Sequence, residues 1–394
     1  MENKKSNTLV CIYNFLPYVD TSGNIVARKV YNHGEKVDIV HNKLKQRKDN
    51  EFYDLIKKYI NNDIFLDTPI NKDEYKWENT KKFVIDALNE INKITKKNGE
   101  YKVIYSRTMK PMSHYLAFAY KIKNPNVKWI AEFSDPNLPD IEGKIRYRPI
   151  NHEDLNKINS IIYKNGYKTF NTDNYFFYSE YLPYILADEI IYTNENQREL
   201  MLENPDFKDI KKEVFNKSRI INHPLPDKKW YNIKESDYKI DKSKINLGYF
   251  GVFYKTRNIY NIFSSLYALD DNLKDKVLIH IFVPNPEKTR EFINEMPIKD
   301  NIIINSYVSY LEYLNLTKKF DCLIVCDAKT KGIFDKNPYL PSKISDYLES
   351  GTDIWRICEK NSILSKIDTR YLSYIENIFT VEDTLKEIIK DHIK

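Results

Sequence analysis

Behind a polar start, Thr8-Leu9-Val10-Cys11-Ile12-Tyr13 is a short β-rich apolar run that predicts a strand, and the loop after it carries Pro17 and Ser22-Gly23-Asn24. A helix is expected next: Ile25, Val26, Val30 and Tyr31 give it an apolar side, and Gly34 ends it. Lys36-Val37-Asp38-Ile39-Val40 supplies the following strand, completing a βαβ unit. The unit recurs more loosely. Val103-Ile104-Tyr105 leads into a helix around Tyr115 to Lys121, and Lys128-Trp129-Ile130-Ala131-Glu132-Phe133 reads as another strand. Such alternation predicts a parallel sheet covered by helices.

Periodicity decides two stretches poorly. Residues 42–98 are charged and Asn-rich, 140–180 are Tyr-rich, and both read as helical insertions. A strand over Glu189–Thr193, a helix over Glu195–Glu203 and the run Arg219–Pro224 follow. Asp227–Ser243, rich in Lys and Asp, is the linker candidate. A second alternating series then begins at Ile245–Gly251 and continues through Val277–Val283, Asn301–Ile304 and Phe320–Cys326. The expected fold class is therefore α/β, with two Rossmann-like domains at 1–228 and 229–394. Ligands of such sheets bind at the carboxyl ends of strands near a topological switch point, which makes a cleft between the halves the default site.

Composition narrows the function classes. With 394 residues, 42% hydrophobic and 30% charged, the chain is long enough for two cores and globular in character. The net charge of +6 is a small difference between 62 basic and 56 acidic residues, so nothing argues for nucleic acid as a partner. Cys11, Cys322, Cys326 and Cys358 form no zinc or redox motif, which fits a reducing cytoplasm. Met1–Asn7 lacks the apolar stretch of a signal peptide, and no segment approaches the roughly 20 apolar residues of a membrane span. Any membrane contact is expected to be peripheral, at the inner face.

The most informative stretch is Asn337-Pro338-Tyr339-Leu340-Pro341-Ser342-Lys343-Ile344-Ser345-Asp346-Tyr347-Leu348-Glu349-Ser350-Gly351. It predicts a loop entering a helix at Ser342, with Ile344, Tyr347 and Leu348 inward and Gly351 closing it. Unpaired N–H groups, a hydroxyl and an ammonium at one helix start can hold phosphate oxygens, although a capped surface helix explains the same spacing.

Pro341-Ser342-Lys343 followed by Asp346-Tyr347-Leu348 and Gly351 resembles the donor-binding segment of GT-B glycosyltransferases, particularly the family-four-like enzymes of bacterial surface glycans. Gly248-Tyr249-Phe250-Gly251-Val252-Phe253-Tyr254 with Arg257-Asn258 resembles the opening of their second domain, and Phe320–Asp327 the strand before the Pro-Ser-Lys loop. In the first half, Tyr105-Ser106-Arg107, Ser113-His114, Ser134-Asp135-Pro136, Ala187-Asp188, Thr193-Asn194 and Gln197-Arg198 resemble acceptor-domain landmarks. Many retaining members place two carboxylates eight positions apart in the donor loop. Here the second matches Asp346, while the first position is Pro338, flanked by Asn337 and near Asp335.

The resemblance implies transfer of a hexose-type sugar from a nucleoside-diphosphate sugar to a hydroxyl on a glycan or lipid-linked acceptor, with no cofactor, no metal and a retaining outcome. It makes Gly251, Phe253, Arg257, Ser342, Lys343 and Asp346 the donor contacts. Arg257 offers forked donors and Lys343 a point charge for the leaving diphosphate; Asp346 would accept hydroxyl hydrogen bonds. Ser22, Gly23 and Arg107 are expected to line the cleft or acceptor. His114 would relay a proton, with Asp135 as base or orienting group. The rival readings are a sugar-nucleotide epimerase of the same fold and a non-catalytic sugar-nucleotide-binding partner. Thr380–Lys394 is amphipathic, with Val381, Leu385, Ile388, Ile389 and Ile393 on one face; the resemblance packs such an end on the first domain, while its lysines could meet an anionic membrane.

Overall fold

The computed structural model describes residues 6–68 and 73–393. The expectations for Met1–Lys5, for 69–72 within the 42–98 stretch and for Lys394 lie outside the described residues. The chain divides into two compact units, Met1–Asn222 and His223–Lys394.

The first unit is built on seven strands: β1 (Thr8–Cys11), β2 (Val37–Asn42), β3 (Ile60–Leu66), β4 (Val103–Thr108), β5 (Lys128–Phe133), β6 (Glu189–Tyr192) and β7 (Ser218–Ile220). They pair in the order β3-β2-β1-β4-β5-β6-β7, all parallel. The order reverses between β1 and β4, whose register sets Leu9 beside Ile104 and Cys11 beside Ser106. The helix Thr21–His33 starts where Asp20 accepts the Gly23 amide and stops at Gly34, whose φ of 77° needs a residue without a side chain. A Cβ on Gly23 would come within 3.3 Å of the Phe15 Cα, so this glycine lets the helix start lie against the loop after β1.

The second unit has six parallel strands: β8 (Ile245–Phe250), β9 (Val277–Val283), β10 (Ile302–Ser306), β11 (Cys322–Cys326), β12 (Asp353–Cys358) and β13 (Tyr371–Tyr374), ordered β10-β9-β8-β11-β12-β13. Its switch point lies between β8 and β11. Each unit has its own apolar core, around Leu9, Ile104 and Trp129 in the first and around Leu247, Ile281 and Trp355 in the second.

Several local expectations are corrected. The 42–98 stretch is not all helical: it holds β3, an edge strand whose polar Asn61, Asn62 and Asp63 hide its pattern, before the helix Trp77–Asn98. Strands β12 and β13 also escape the periodicity. In β12 the apolar run is broken by Arg356, which is buried because its guanidinium donates to the Leu364 and Ser365 carbonyls and to Thr369. The expected linker packs instead: a short 3-10 turn over Lys228–Asn232 buries Trp230 and Tyr231, and Tyr238 donates toward His280. The C-terminal helix, Ile378–His392, puts Val381, Leu385, Ile388 and Ile389 into the second unit's own core, while Ile393 is exposed. Among the described residues no helix is long and apolar enough to cross a membrane.

Candidate functional site

In the second unit, the loops leaving β8 and β11 meet at the switch point, where the Lys329 amide donates to the Thr256 carbonyl at 2.6 Å. Gly251 donates its amide to Phe282 O, and a Cβ there would stand 3.2 Å from the Tyr249 hydroxyl. Phe253 stacks on Tyr249 with centroids 5.4 Å apart. Arg257 closes a tight turn with Tyr254 through two backbone hydrogen bonds and sends its side chain toward the end of β11. Its charge bears there on Cys326 and Asp327, and its Nε is buried without a hydrogen bond among the described residues.

Asp327, 1% exposed, is the first residue after β11. Its Oδ2 accepts the Glu359 amide at 3.0 Å, while Oδ1 is buried with no partner among the described residues. Burial pushes this carboxyl up to about 7 against the opposing pull of Ser362, the Glu359 amide and Arg257.

The Pro-Ser-Lys stretch forms one helical turn, Lys343–Tyr347, followed by a turn that Gly351 closes at φ 77°. Ser342 is half-buried and caps nothing with its side chain; its carbonyl accepts from the Ser345 amide and hydroxyl. Ile344 and Tyr347 are inward as expected, but Leu348 is 39% exposed because the helix ends before it. Lys343 lies 4.0 Å over the Tyr313 ring and 3.8 Å from the Asp346 carboxylate. Asp346 is buried rather than open: Tyr310 donates to one oxygen at 3.0 Å and Tyr313 to the other at 3.3 Å. In this conformation it holds the lysine and the helical turn in place. Thus Gly251, Phe253 and Arg257 gather on the β8 side, and Ser342, Lys343 and Asp346 on one turn after β11.

In the first unit, Arg107 and Ser22 come together, but in a buried network. The Arg107 guanidinium donates to Glu132 at 2.9 Å and to the Ser22 hydroxyl, and Lys29 and Tyr105 donate to the second Glu132 oxygen at 2.6 and 2.9 Å. Burial alone would raise the Glu132 carboxyl, yet Lys29 and Arg107 hold it near 2. Arg107, 2% exposed, is committed to this network and not presented to an acceptor. His114 is likewise a core residue, 1% exposed, edge-on to Phe133 at 4.9 Å and hydrogen-bonded through Nδ1 to Ser106 at 2.8 Å. Burial lowers it to about 3, so the imidazole stays neutral. Asp135 is half-buried on a loop pinned at both ends, by the Ser134 amide on Thr108 O and by Glu180, which accepts the Asn137 and Leu138 amides at 2.7 and 2.8 Å.

The residues that sequence reasoning missed are Glu132, Glu180, Asp327, Glu359, Tyr310 and Tyr313. A signal existed for the first two: a lone carboxylate inside Trp129–Phe133 or inside the aromatic run Tyr175–Leu186 must find a partner. Among the described residues no group of three or more His, Cys, Asp or Glu is arranged to hold a metal ion.

No protein-family model and no curated protein sequence matches the chain. Solved structures match it in fold. WaaG, a glycosyltransferase involved in lipopolysaccharide biosynthesis, superposes with a TM-score of 0.53 over 97% of this chain and 90% of its own, at 10% identity. S. aureus MnaA, solved with UDP, gives a TM-score of 0.50 over 98% and 88% at 12% identity. The two parallel sheets with alternating helices are those of the GT-B fold.

Proposed function

We propose that the chain is a glycosyltransferase that takes a nucleoside-diphosphate sugar at the second unit's switch point and transfers the sugar to a hydroxyl of a glycan or lipid-linked acceptor. The observation that carries this reading is the meeting of the β8 loop, which bears Arg257, with the start of the β11 loop at Lys329, the loop that leads on to Lys343. Departure of a nucleoside diphosphate leaves negative charge on the β-phosphate. Cationic side chains that reach a bound diphosphate stabilise that charge most where water is scarce. Arg257 supplies a fork for two phosphate oxygens, and Lys343, its side chain 32% exposed at the start of its turn, brings a point charge to a third. Gly251 and Phe253 would border the donor, and Ser342 would add its hydroxyl. Asp346 acts by holding Lys343. With Arg107 and His114 buried, Asp135 is the acceptor-side group left near a strand end, suited to orient the attacking hydroxyl. The transfer would need no metal, the charge being met by these two cations, and we retain the expected retaining outcome and a role in surface glycan synthesis as parts of this proposal.

A second reading, a non-catalytic nucleotide-sugar binder, is favoured by Pro338 standing where retaining relatives carry a carboxylate. Incubating the protein with UDP-, GDP- and dTDP-sugars and a mixture of polyprenyl-phosphate-linked and free oligosaccharide acceptors, with product detection by mass spectrometry, separates the two. A sugar-mass increment on an acceptor is expected. Donor binding with neither transfer nor hydrolysis would establish the binder, and conversion of the donor sugar without acceptor would indicate an epimerase.

A further inference from the structure

The loop between β11 and the Pro-Ser-Lys turn, residues 328–340, carries no carboxylate at the Pro338 position, yet it is tied around one. Glu359, the residue after β12, is 4% exposed and accepts four hydrogen bonds from that loop. Its Oε1 takes the Thr330 and Lys331 amides at 2.5 and 2.7 Å, and its Oε2 takes the Thr330 hydroxyl at 2.6 Å and the Asn337 side-chain amide at 3.1 Å. Asn337 passes the constraint on, donating also to Ala328 O at 2.8 Å and accepting the Tyr339 amide at 3.0 Å. The Glu359 amide in turn donates to Asp327. Both ends of the loop, at 328–331 and 337–339, are thus fixed to a single acceptor-only group on the neighbouring strand.

Building on the reading of the second unit as a donor site, we propose that Glu359 is the positioning residue that presets the 328–340 loop for the nucleotide sugar, holding both ends of that loop from the neighbouring strand. It does not touch the donor. By fixing Thr330 and Asn337 it sets where the chain enters Pro341-Ser342-Lys343, so that the loop's ordering entropy falls on folding and not on binding. Replacing it by Gln puts an N–H donor against donors that now meet an acceptor, which loosens the loop while keeping the side chain's volume.

The test uses the full chain as wild type, Glu359→Gln and Thr330→Val, with UDP, GDP and dTDP titrated by calorimetry and backbone hydrogen exchange followed without nucleotide. Expected are faster exchange across 328–340 in Glu359→Gln with unchanged exchange in β8 and β11, and a dissociation constant raised roughly tenfold for the nucleotide that binds wild type. Thr330→Val should show a smaller loss of the same kind, and it decides the question if Glu359→Gln does not fold. Wild-type affinity and loop protection in both variants would overturn the positioning role alone. A wild type that binds none of the three nucleotides would overturn the donor-site reading, and this proposal with it. A residue important only for stability would change the unfolding midpoint and leave the affinity of folded protein unaltered, which would also overturn the positioning role.

Discussion

Glu180 shows how a buried carboxyl can serve a loop. Burial pushes it up to about 7 from an ordinary 4.5, even though the Asn137 and Leu138 amides favour its charged form. The folded state therefore holds this proton more tightly than the unfolded chain does. The associated stability is complete below the ordinary carboxyl value and is lost as pH rises through about 7. Glu180→Gln keeps an acceptor for the two amides and removes the titration. Urea unfolding of both proteins at about pH 5 and about pH 8 should show the variant gaining relative stability at the higher pH, and an identical pH slope in the two would contradict this linkage. His114 runs the other way: its neutral form is favoured, so its contribution is present above 6.5 and fades as pH falls toward about 3. At this scale the sequence is a partial guide. Arg257 and Lys343 can be picked out by their place in a motif, but that Arg107 and His114 face inward depends on Glu132 and Ser106, partners brought in by the pairing of β4 with β5 and by the turn back from the following helix.

Among the elements, those with a mostly apolar pattern are legible from the chain alone: β11, β5 and β9, the last two despite Glu132 and His280 inside them, and the helix from Thr21 with its glycine stop. The others are hidden by polar residues whose burial is satisfied only by tertiary contacts, as for Arg356 in β12, or by exposure at an edge, as in β3. The segment that reads as a linker is the clearest case, because the adjacent Trp230 and Tyr231 and a single further aromatic, Tyr238, give no period in a charged stretch. Trp230 is fully buried, and Tyr231 donates to the Asp346 carbonyl at 2.5 Å, so this strap braces the turn that bears Lys343. Trp230→Ala should cost about 3–5 kcal/mol of stability in the second unit's transition, as a large core deletion does. A loss below about 1 kcal/mol in denaturant unfolding would mean that the strap is a linker after all.

For the whole molecule, the α/β class and the two Rossmann-like units follow from strand and helix alternation, which survives even where single elements are misread. The strand orders do not, since pairing is set by crossovers that leave no local trace. They matter for function because each order reverses at one place, and in the second unit that place brings together the loops carrying Arg257 and Asp327. In the proposed reading this switch point holds the diphosphate of a sugar donor, and calorimetric titration of UDP-, GDP- and dTDP-sugars into wild type, Arg257→Ala and Lys343→Ala puts that to the test. One nucleotide class should bind wild type, and each variant should bind it roughly tenfold or more weakly, as the loss of one charge-assisted contact implies. Donor binding of undiminished strength in both variants would contradict the claim.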